Sequence, residues 1–210
     1  MKSLVLIGSN DYCESVIEAA ESSGYNILGI LGFPDEVGNK VLSVPIIGTI
    51  SDIARYVETA DFIIASNHIN QGSNRISLYT SAKKSGAHFA TIIASTAYVS
   101  KYAHLGEGSV VMHKAFVNAG AKIGSNVFLD TLSNVDYEAV VGNHSIVSSD
   151  TIINGDSRVG ERCIIGRHTT IDYGVHICND VLLEDNSVVI EDVVTPGVYY
   201  GNPAKLVKQR

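Results

Sequence analysis

The sequence predicts a chain in two parts, a small α/β sheet of Rossmann-like type followed by a parallel β-helix. Over residues 1–97, short β-rich runs alternate with helical patterns, which is typical of a parallel sheet. From Val99 onward every sixth residue is aliphatic, and a period of six fits neither an α-helix nor an array of hairpins. The change of pattern places a domain boundary near residue 97, with the β-helix over 98–190 and a tail over 191–210.

The composition indicates a globular protein that can bury a core. Of its 210 residues, 45% are hydrophobic and 18% are charged. The formal charge is −7, and only the last few residues concentrate Lys and Arg, which argues against a nucleic-acid-binding protein. No apolar run approaches the roughly 18 residues of a membrane span.

Two further features favour a cytoplasmic location. The apolar run Leu4 to Ile7 is too short for the core of a signal peptide. The three cysteines, Cys13, Cys163 and Cys178, have the spacing of neither a zinc site nor a disulfide framework. We therefore predict that all three are reduced thiols that pack in the interior.

The first part of the chain reads as alternating strands and helices. We predict strands at residues 4–7, 27–31, 62–65 and 88–92, helices at 13–22, 51–57 and 75–84, and a loop around 34–35. In such sheets ligands bind at the carboxyl ends of the strands, so the turn after the first strand is the candidate binding edge. That turn is Gly8, Ser9, Asn10 and Asp11.

The turn has only one of the three glycines of a dinucleotide fingerprint, which argues against NAD or FAD. A mononucleotide or nucleotide sugar held through backbone N–H groups remains possible. So does a loop that only joins a strand to a helix.

The six-residue period is unbroken over sixteen aliphatic residues. They are Val99, Leu105, Val111, Val117, Ile123, Leu129, Val135, Val141, Val147, Ile153, Val159, Ile165, Ile171, Ile177, Leu183 and Val189. Each hexapeptide would form one side of a triangular coil and point its aliphatic side chain inward. Five of these residues are followed directly by glycine, namely at Gly106, Gly124, Gly142, Gly160 and Gly166. We expect these glycines at corners, where a residue without Cβ is favoured.

The repeat, followed by the segment Gly201-Asn202-Pro203-Ala204-Lys205, resembles the left-handed β-helix, or hexapeptide-repeat, acyltransferases. With the α/β part ahead of it, the chain is similar to the sialic acid O-acetyltransferase family. Members of that family N-acetylate amino sugars on nucleotides or O-acetylate sialic acid. The resemblance implies left-handed coils, a homotrimer, and acetyl-CoA or another acyl-CoA as cosubstrate.

The resemblance also maps the catalytic site. Family members carry a general-base His followed by an acidic residue, four residues before an Ile-Gly corner. Counting back from Val141-Gly142, Tyr137 stands where this His belongs and Glu138 is the acidic partner. Asp136 precedes them, and Asp130 occupies a position that is often Asn in the family.

Other family features carry over in part. The backbone N–H that would hold the thioester carbonyl maps to Gly155, 18 residues after Tyr137. Gly155 and a group of tail residues, Pro203, Lys205 and Lys208, are the expected contacts of coenzyme A. The acidic pair that ends the second strand in the family maps to Gly32 and Phe33, so nucleotide recognition must differ there.

The missing histidine favours N-acylation. Tyrosine has an ordinary pKa near 10 and is a poor base at neutral pH. A neutral amine can attack without a base, whereas an alcohol must lose its proton during the attack. The carboxylates of Asp130, Asp136 and Glu138 could position an ammonium group or receive its proton. His113 could approach the site across a subunit boundary.

Three alternatives remain open. The chain could be a sugar O-acetyltransferase, or a sugar-nucleotide-binding relative that has lost the base. A trimeric metal-dependent carbonic anhydrase is a further alternative, but it would need three well-placed His ligands, and we expect no metal.

Overall fold

The computed structural model describes residues 3–10, 12–66 and 72–209. The chain forms two compact units, Met1–Ser95 and Thr96–Arg210. Within the described residues, no helix is both long enough and apolar enough to cross a membrane.

The first unit is an α/β sheet with strand order β3-β4-β2-β1-β5. Its elements are β1 (Ser3–Ile7), α1 (Cys13–Ser22), β2 (Asn26–Gly32), a 3-10 helix (Pro34–Glu36), β3 (Lys40–Val41), β4 (Val44–Thr49), a second 3-10 helix (Ile50–Arg55), β5 (Ala60–Ile64), α2 (Gly72–Lys84) and the short β6 (Ile92–Ile93). β1 pairs in parallel with β2 and β5, and β2 pairs in parallel with β4. β1, which lies between β2 and β5, is uniformly apolar and fully buried over Leu4 to Ile7, as expected for a strand of a parallel sheet that is covered on both faces.

Several predicted elements of this unit need correction. The helix expected over 51–57 is the 3-10 helix Ile50–Arg55. The Asp52 carboxylate accepts hydrogen bonds from the Thr49 N–H (2.9 Å) and hydroxyl (3.1 Å), which cap the start of this helix. The strand expected over 88–92 is reduced to a single bridge between Phe62 and Phe89, and β6 follows it.

The antiparallel pair of β3 and β4 was not predicted. β4 contains Pro45, which lacks a backbone N–H, and proline inside a run normally argues against a strand.

The second unit is a parallel β-helix whose strands form three faces. Face 1 contains β7 (Tyr98–Val99), β10 (Phe116–Val117), β13 (Asn134–Val135), β16 (Ile152–Ile153), β19 (Thr170–Ile171) and β22 (Val188–Val189). Face 2 contains β8 (His104–Leu105), β11 (Lys122–Ile123), β14 (Val140–Val141), β17 (Arg158–Val159) and β20 (His176–Ile177). Face 3 contains β9 (Val110–Val111), β12 (Phe128–Leu129), β15 (Ile146–Val147), β18 (Ile164–Ile165), β21 (Val181–Leu183), β23 (Gly197–Gly201) and β24 (Ala204–Gln209).

Each coil takes 18 residues, as the pairing of Phe116 with Asn134 on face 1 shows. The sixteen aliphatic residues of the repeat line one continuous core, in which only Val99 and Leu105 are less than fully enclosed. The inward row predicted from the six-residue period is therefore confirmed.

The glycines of the repeat have a different role from the expected one. Gly106 and Gly142 do not adopt the left-handed conformation. A Cβ on Gly106 would lie 2.5 Å from the carbonyl carbon of Gly124 in the next coil, and one on Gly142 would lie 2.6 Å from that of Gly160. Glycine is needed because neighbouring coils approach closely at this corner.

The left-handed conformation falls two residues later in each turn. It recurs at every sixth residue, at Gly108, Lys114, Gly120, Asn126, Leu132, Glu138, His144, Asp150, Asp156, Arg162, His168, Gly174, Asp180 and Asn186. Most of these are Gly, Asn, Asp or His, the residue types that adopt positive φ most readily. His144 and His168 are therefore corner residues of the coil.

The tail is part of the β-helix. β23 pairs in parallel with β21, and β24 pairs antiparallel with β23, so that residues 197–209 extend face 3. The basic tail predicted as a separate segment is thus a strand.

The cysteines are free thiols. Cys13 and Cys163 are buried, and burial raises the pKa of Cys13 to about 12 and that of Cys163 to about 11. Cys178 is partly exposed. The prediction of interior thiols is therefore confirmed for Cys13 and Cys163 and only partly for Cys178.

Candidate active site

The corner between faces 1 and 2 collects most of the predicted site residues. We call it edge 1–2 and define it by residues 118–120, 136–138, 154–156, 172–174 and 190–192, which follow successive strands of face 1. Because each coil takes 18 residues, equivalent corner residues stack along the edge.

The closest relationship on this edge joins Tyr137 and Gly155. A Cβ built on Gly155 would lie 2.6 Å from Cζ and 2.8 Å from Cε1 of the Tyr137 ring. The ring therefore lies directly over the Gly155 backbone, while 45% of Tyr137 remains exposed. Any larger residue at 155 would displace the ring.

The Gly155 N–H is an available hydrogen-bond donor. At three equivalent positions the backbone N–H donates to the side-chain oxygen of the preceding residue, in each case at 2.8 Å. The pairs are Ala119 to Asn118, Tyr137 to Asp136 and Tyr173 to Asp172. Asn154 instead directs its Nδ2 to the Ile171 carbonyl at 3.0 Å. Gly155 is buried, and its N–H donates to none of the residues that the structure describes. Buried N–H groups without an acceptor are rare, so this one is suited to a ligand carbonyl.

One coil further on, Tyr173 and Asp156 form a pair that the sequence analysis missed. The Tyr173 hydroxyl donates to Oδ2 of Asp156 at 2.6 Å, and this hydrogen bond to a carboxylate raises the pKa of Tyr173. The ring centroids of Tyr137 and Tyr173 are 6.5 Å apart. The 18-residue spacing from Gly155 to Tyr173 is the signal that could have found the pair.

Two of the predicted carboxylates lie on edge 1–2. Oδ1 of Asp136 accepts from Asn118 Nδ2 at 2.7 Å and from the Tyr137 N–H at 2.8 Å, so this carboxylate holds the backbone of the turn. The carboxylate of Glu138 lies against Gly120, in the preceding coil and away from Gly155.

The third carboxylate, Asp130, lies elsewhere. It follows Leu129 of face 3 and is therefore at the corner between faces 3 and 1. Asp130 is only 5% exposed, and its oxygens accept from the Thr131 N–H at 2.8 Å and the Ser149 hydroxyl at 2.9 Å. Within one chain, the structure does not bring Asp130 together with Tyr137, because consecutive corners lie at different edges of the triangle.

The tail residues reach the same edge as Gly155. Pro203 and Lys205 line a cleft together with residues 190–192, which end edge 1–2. Lys205 Nζ is 3.9 Å from the Glu191 carboxylate, and both side chains are well exposed. Lys208 lies further along β24, also exposed.

In the first unit, the predicted nucleotide-binding turn lies at the carboxyl end of β1. The Gly8 N–H donates to the Leu31 carbonyl at 2.9 Å, so it is not available to a ligand. Asn10 Nδ2 donates to the Ser66 hydroxyl at 2.8 Å. Ser9 lines the same pocket, and Asp11 lies outside the described residues.

A buried arginine close to this turn was not anticipated. Arg75 of α2 is 3% exposed and donates through Nη1 to the carbonyls of Ile64 (2.9 Å) and Ser66 (3.0 Å). Burial lowers its pKa to about 9. Its positive charge lies at the carboxyl edge of the sheet, where phosphate groups bind in folds of this kind.

No arrangement suited to a metal ion is found. The described part of the chain has no group of three or more His, Cys, Asp or Glu side chains close enough together to hold one.

Comparison with known proteins places this geometry in context. The sequence matches no family model and no curated protein. Among solved structures, a variant of perosamine N-acetyltransferase from Caulobacter crescentus, in complex with CoA and GDP-perosamine, is similar at a TM-score of 0.90 and 27% identity, over 98% of this chain and 97% of that chain.

Two other solved structures have the same fold. The acetyltransferase domain of PglB from Neisseria gonorrhoeae, in complex with acetyl coenzyme A, matches at a TM-score of 0.90 and 26% identity over 98% of this chain and 99% of that chain. WeeI from Acinetobacter baumannii matches in fold at a TM-score of 0.86 and 17% identity, over 99% of this chain and 100% of that chain. These similarities confirm the resemblance of this chain, along nearly its whole length, to the β-helix acyltransferases that acetylate sugars.

Proposed function

We propose that this protein transfers an acyl group, most simply acetyl, from acyl-CoA to the amine of a nucleotide-linked amino sugar. The observation that carries the proposal is the buried Gly155 N–H on edge 1–2, which has no acceptor among the described residues. The similarity to a perosamine N-acetyltransferase with bound CoA and GDP-perosamine supports the choice of substrates.

In this proposal the Gly155 N–H binds the thioester carbonyl oxygen. The amine nitrogen attacks the carbonyl carbon, and the negative charge that develops on oxygen is stabilised by the N–H. Loss of one such donor typically lowers kcat by about 100- to 1,000-fold. Collapse of the intermediate breaks the C–S bond and releases CoA as the thiolate. The nitrogen loses one proton to a carboxylate or water, and a proton from the same source converts the thiolate to the thiol.

Tyr137 would pack over the reacting group rather than remove a proton from the nucleophile. Its ring already lies over Gly155. An amine attacks in its neutral form, so it needs no general base before the attack. The acceptor is therefore an amine in preference to an alcohol.

The remaining parts of the chain have proposed roles in the same reaction. Residues 1–97 form the Rossmann-like nucleotide-sugar-binding domain, with Gly8, Ser9 and Asn10 at its edge. Residues 98–190 form the acyltransferase β-helix, left-handed as in the resembled family. Pro203, Lys205 and Lys208 contact coenzyme A, and Lys205 is supported by its place at the end of edge 1–2.

We further propose a cytoplasmic homotrimer. The rings of Tyr98 and Phe116 stack on face 1 with centroids 5.0 Å apart, although 56% of Tyr98 and 36% of Phe116 remain exposed. Exposed aromatic pairs on a flat sheet favour a partner surface. In a trimer, a neighbouring subunit could supply the corner with Asp130 and His113.

The test is thiol release by the full chain, with a panel of acyl-CoAs and nucleotide sugars. Each amino sugar is paired with the sugar that carries a hydroxyl at the same carbon. We expect release with at least one amino sugar and much less with its hydroxyl counterpart. Equal release would indicate O-acylation, and no release with any pair, in a protein that still binds nucleotide sugars, would indicate a non-catalytic relative.

A further inference from the structure

A carboxylate that the sequence did not identify lies against Ser9 and Gly32, two residues that line the pocket beside the Gly8 turn. Gly32 ends β2, and a Cβ on it would lie 2.8 Å from Oε2 of Glu36 and 2.9 Å from the Ser9 hydroxyl oxygen. Glu36 follows in the 3-10 helix Pro34–Glu36, and its side chain folds back toward β2. The Glu36 carboxylate therefore occupies the space that a side chain at position 32 would fill.

The carboxylate is held by two donors on a single oxygen. Oε2 of Glu36 accepts hydrogen bonds from the Ser9 hydroxyl and from the Phe33 N–H, the latter at 2.9 Å. Oε1 accepts none from any residue for which the structure gives a position. Glu36 is half-buried, so its conformation is fixed while one oxygen stays available.

Two neighbours show that the pocket is suited to a nucleoside. Phe33 lines it and is 55% exposed, which leaves an aromatic face free for stacking by a base. Oδ1 of Asn10, which also lines the pocket, is buried and has no donor in the part of the chain that the structure covers. Two acceptors in need of donors and one apolar platform match the hydroxyl groups and flat base of a nucleoside.

From this geometry we infer that Glu36, fixed by Ser9 and the Phe33 N–H, accepts a hydrogen bond from a ribose hydroxyl of the nucleotide substrate and so selects ribonucleotides over 2′-deoxyribonucleotides. In Rossmann folds that bind NAD, an acidic side chain near the end of the second strand binds the ribose 2′-hydroxyl. Here that carboxylate comes from four residues beyond the strand end, because Gly32 leaves room for it. The inference rests on the proposed function, since it concerns the nucleotide part of the same substrate.

The experiment measures binding by calorimetry and needs no catalysis. The full chain is titrated with the four common ribonucleoside diphosphates and with the 2′-deoxy form of each. For the base that binds best, we expect the ribo form to bind about tenfold more tightly or better, the scale of one hydrogen bond to a charged group. Glu36→Gln should reduce this preference to below about threefold.

The matched control is Asp35→Asn, which removes a charge from the neighbouring, exposed residue of the same 3-10 helix and should leave the preference unchanged. A second variant, Gly32→Ala, keeps Glu36 but displaces its carboxylate, and should reproduce the loss. Circular dichroism verifies that each variant is folded.

Equal affinity of the wild type for ribo and deoxy forms, or an undiminished preference in Glu36→Gln, would overturn the inference. The inference would also be overturned if the protein bound none of the eight nucleotides. Because thiol release is measured separately, a protein that acylates an amino sugar but shows no ribose preference contradicts only this inference. A protein that shows the preference without thiol release contradicts only the proposed function.

Discussion

The phenol ring of Tyr137 lies directly over the backbone of Gly155, one coil further along edge 1–2. The position of the ring depends on the glycine, because a Cβ at position 155 would lie only 2.6 Å from the ring Cζ. Tyr137, which stands where the resembled family has a histidine, therefore packs against the predicted oxyanion donor. This relationship leads to the first two predictions.

A methyl group at position 155 should disturb the site. In Gly155→Ala the new Cβ would lie within 3 Å of three ring carbons of Tyr137, so the ring must move and the N–H shifts with the backbone. We expect kcat/KM for thiol release to fall about tenfold or more. The control is the double variant Tyr137→Ala/Gly155→Ala, in which the new Cβ no longer meets a ring. If the ring is the cause, Gly155→Ala should cost little when it is added to Tyr137→Ala, and an equal loss in both backgrounds would attribute the effect to the backbone instead.

Removing the Tyr137 hydroxyl should have a small effect. Tyr137→Phe keeps the ring over Gly155, and an amine acceptor needs no base before it attacks, so kcat should fall less than tenfold. Loss of a true general base costs about 100-fold or more. Tyr137→Ala, which removes the ring as well, should be clearly worse than Tyr137→Phe. A nearly inactive Tyr137→Phe would contradict this and show that the phenol acts as the general base.

The Tyr173 phenol should ionise only at unusually high pH. Its hydrogen bond to Asp156 raises its pKa above the ordinary value of 10.0. The bond therefore contributes stability below pH 10, and this contribution is lost as the pH rises through the raised pKa. The difference between the ultraviolet titration curves of the wild type and of Tyr173→Phe reports the ionisation of this phenol alone. Asp156→Asn should lower its pKa toward 10, and an unchanged titration would show that the pair does not form in solution.

Lys205 should contribute to the binding of acyl-CoA. Because β24 is a paired strand, truncation of the tail would disrupt face 3, and a single substitution is the better test. Lys205→Met should raise KM for acyl-CoA severalfold and leave KM for the amino sugar unchanged, since only the phosphates of CoA lose a cation. Lys40→Met, which removes an exposed lysine from the first unit, is the control. A KM increase for both substrates would argue for a general structural effect.

The assembly should be a trimer held through exposed apolar residues of face 1. Light scattering is expected to give three times the chain mass of 22.4 kDa. Phe116→Asp places a charge beside the exposed ring of Tyr98 and should dissociate the trimer at micromolar concentration. A wild-type monomer would contradict the prediction, as would an intact trimer in the variant.

The sequence by itself determined the second unit. Every hexapeptide makes the same local turn, so one aliphatic residue in six suffices to define the interior row from Val99 to Val189. Because the coil length is fixed at 18 residues, the sequence also placed Tyr137 and Gly155 on one edge. It did less well in the first unit, where Pro45 obscured β4 and the helix expected over 51–57 is a 3-10 helix.

Only the tertiary structure decided where the carboxylates point. Asp130 and Glu138 stand close to Tyr137 in sequence, yet one lies at another corner of the coil and the other turns to the coil before. Glu36 fills the space above Gly32 because a short helical turn brings the chain back on itself, and Tyr173 meets Asp156 only because one coil stacks on the next. Periodicity fixes which face of the coil a residue occupies. The direction of a polar side chain depends on which donors the folded chain places around it, and these come from residues far apart in sequence.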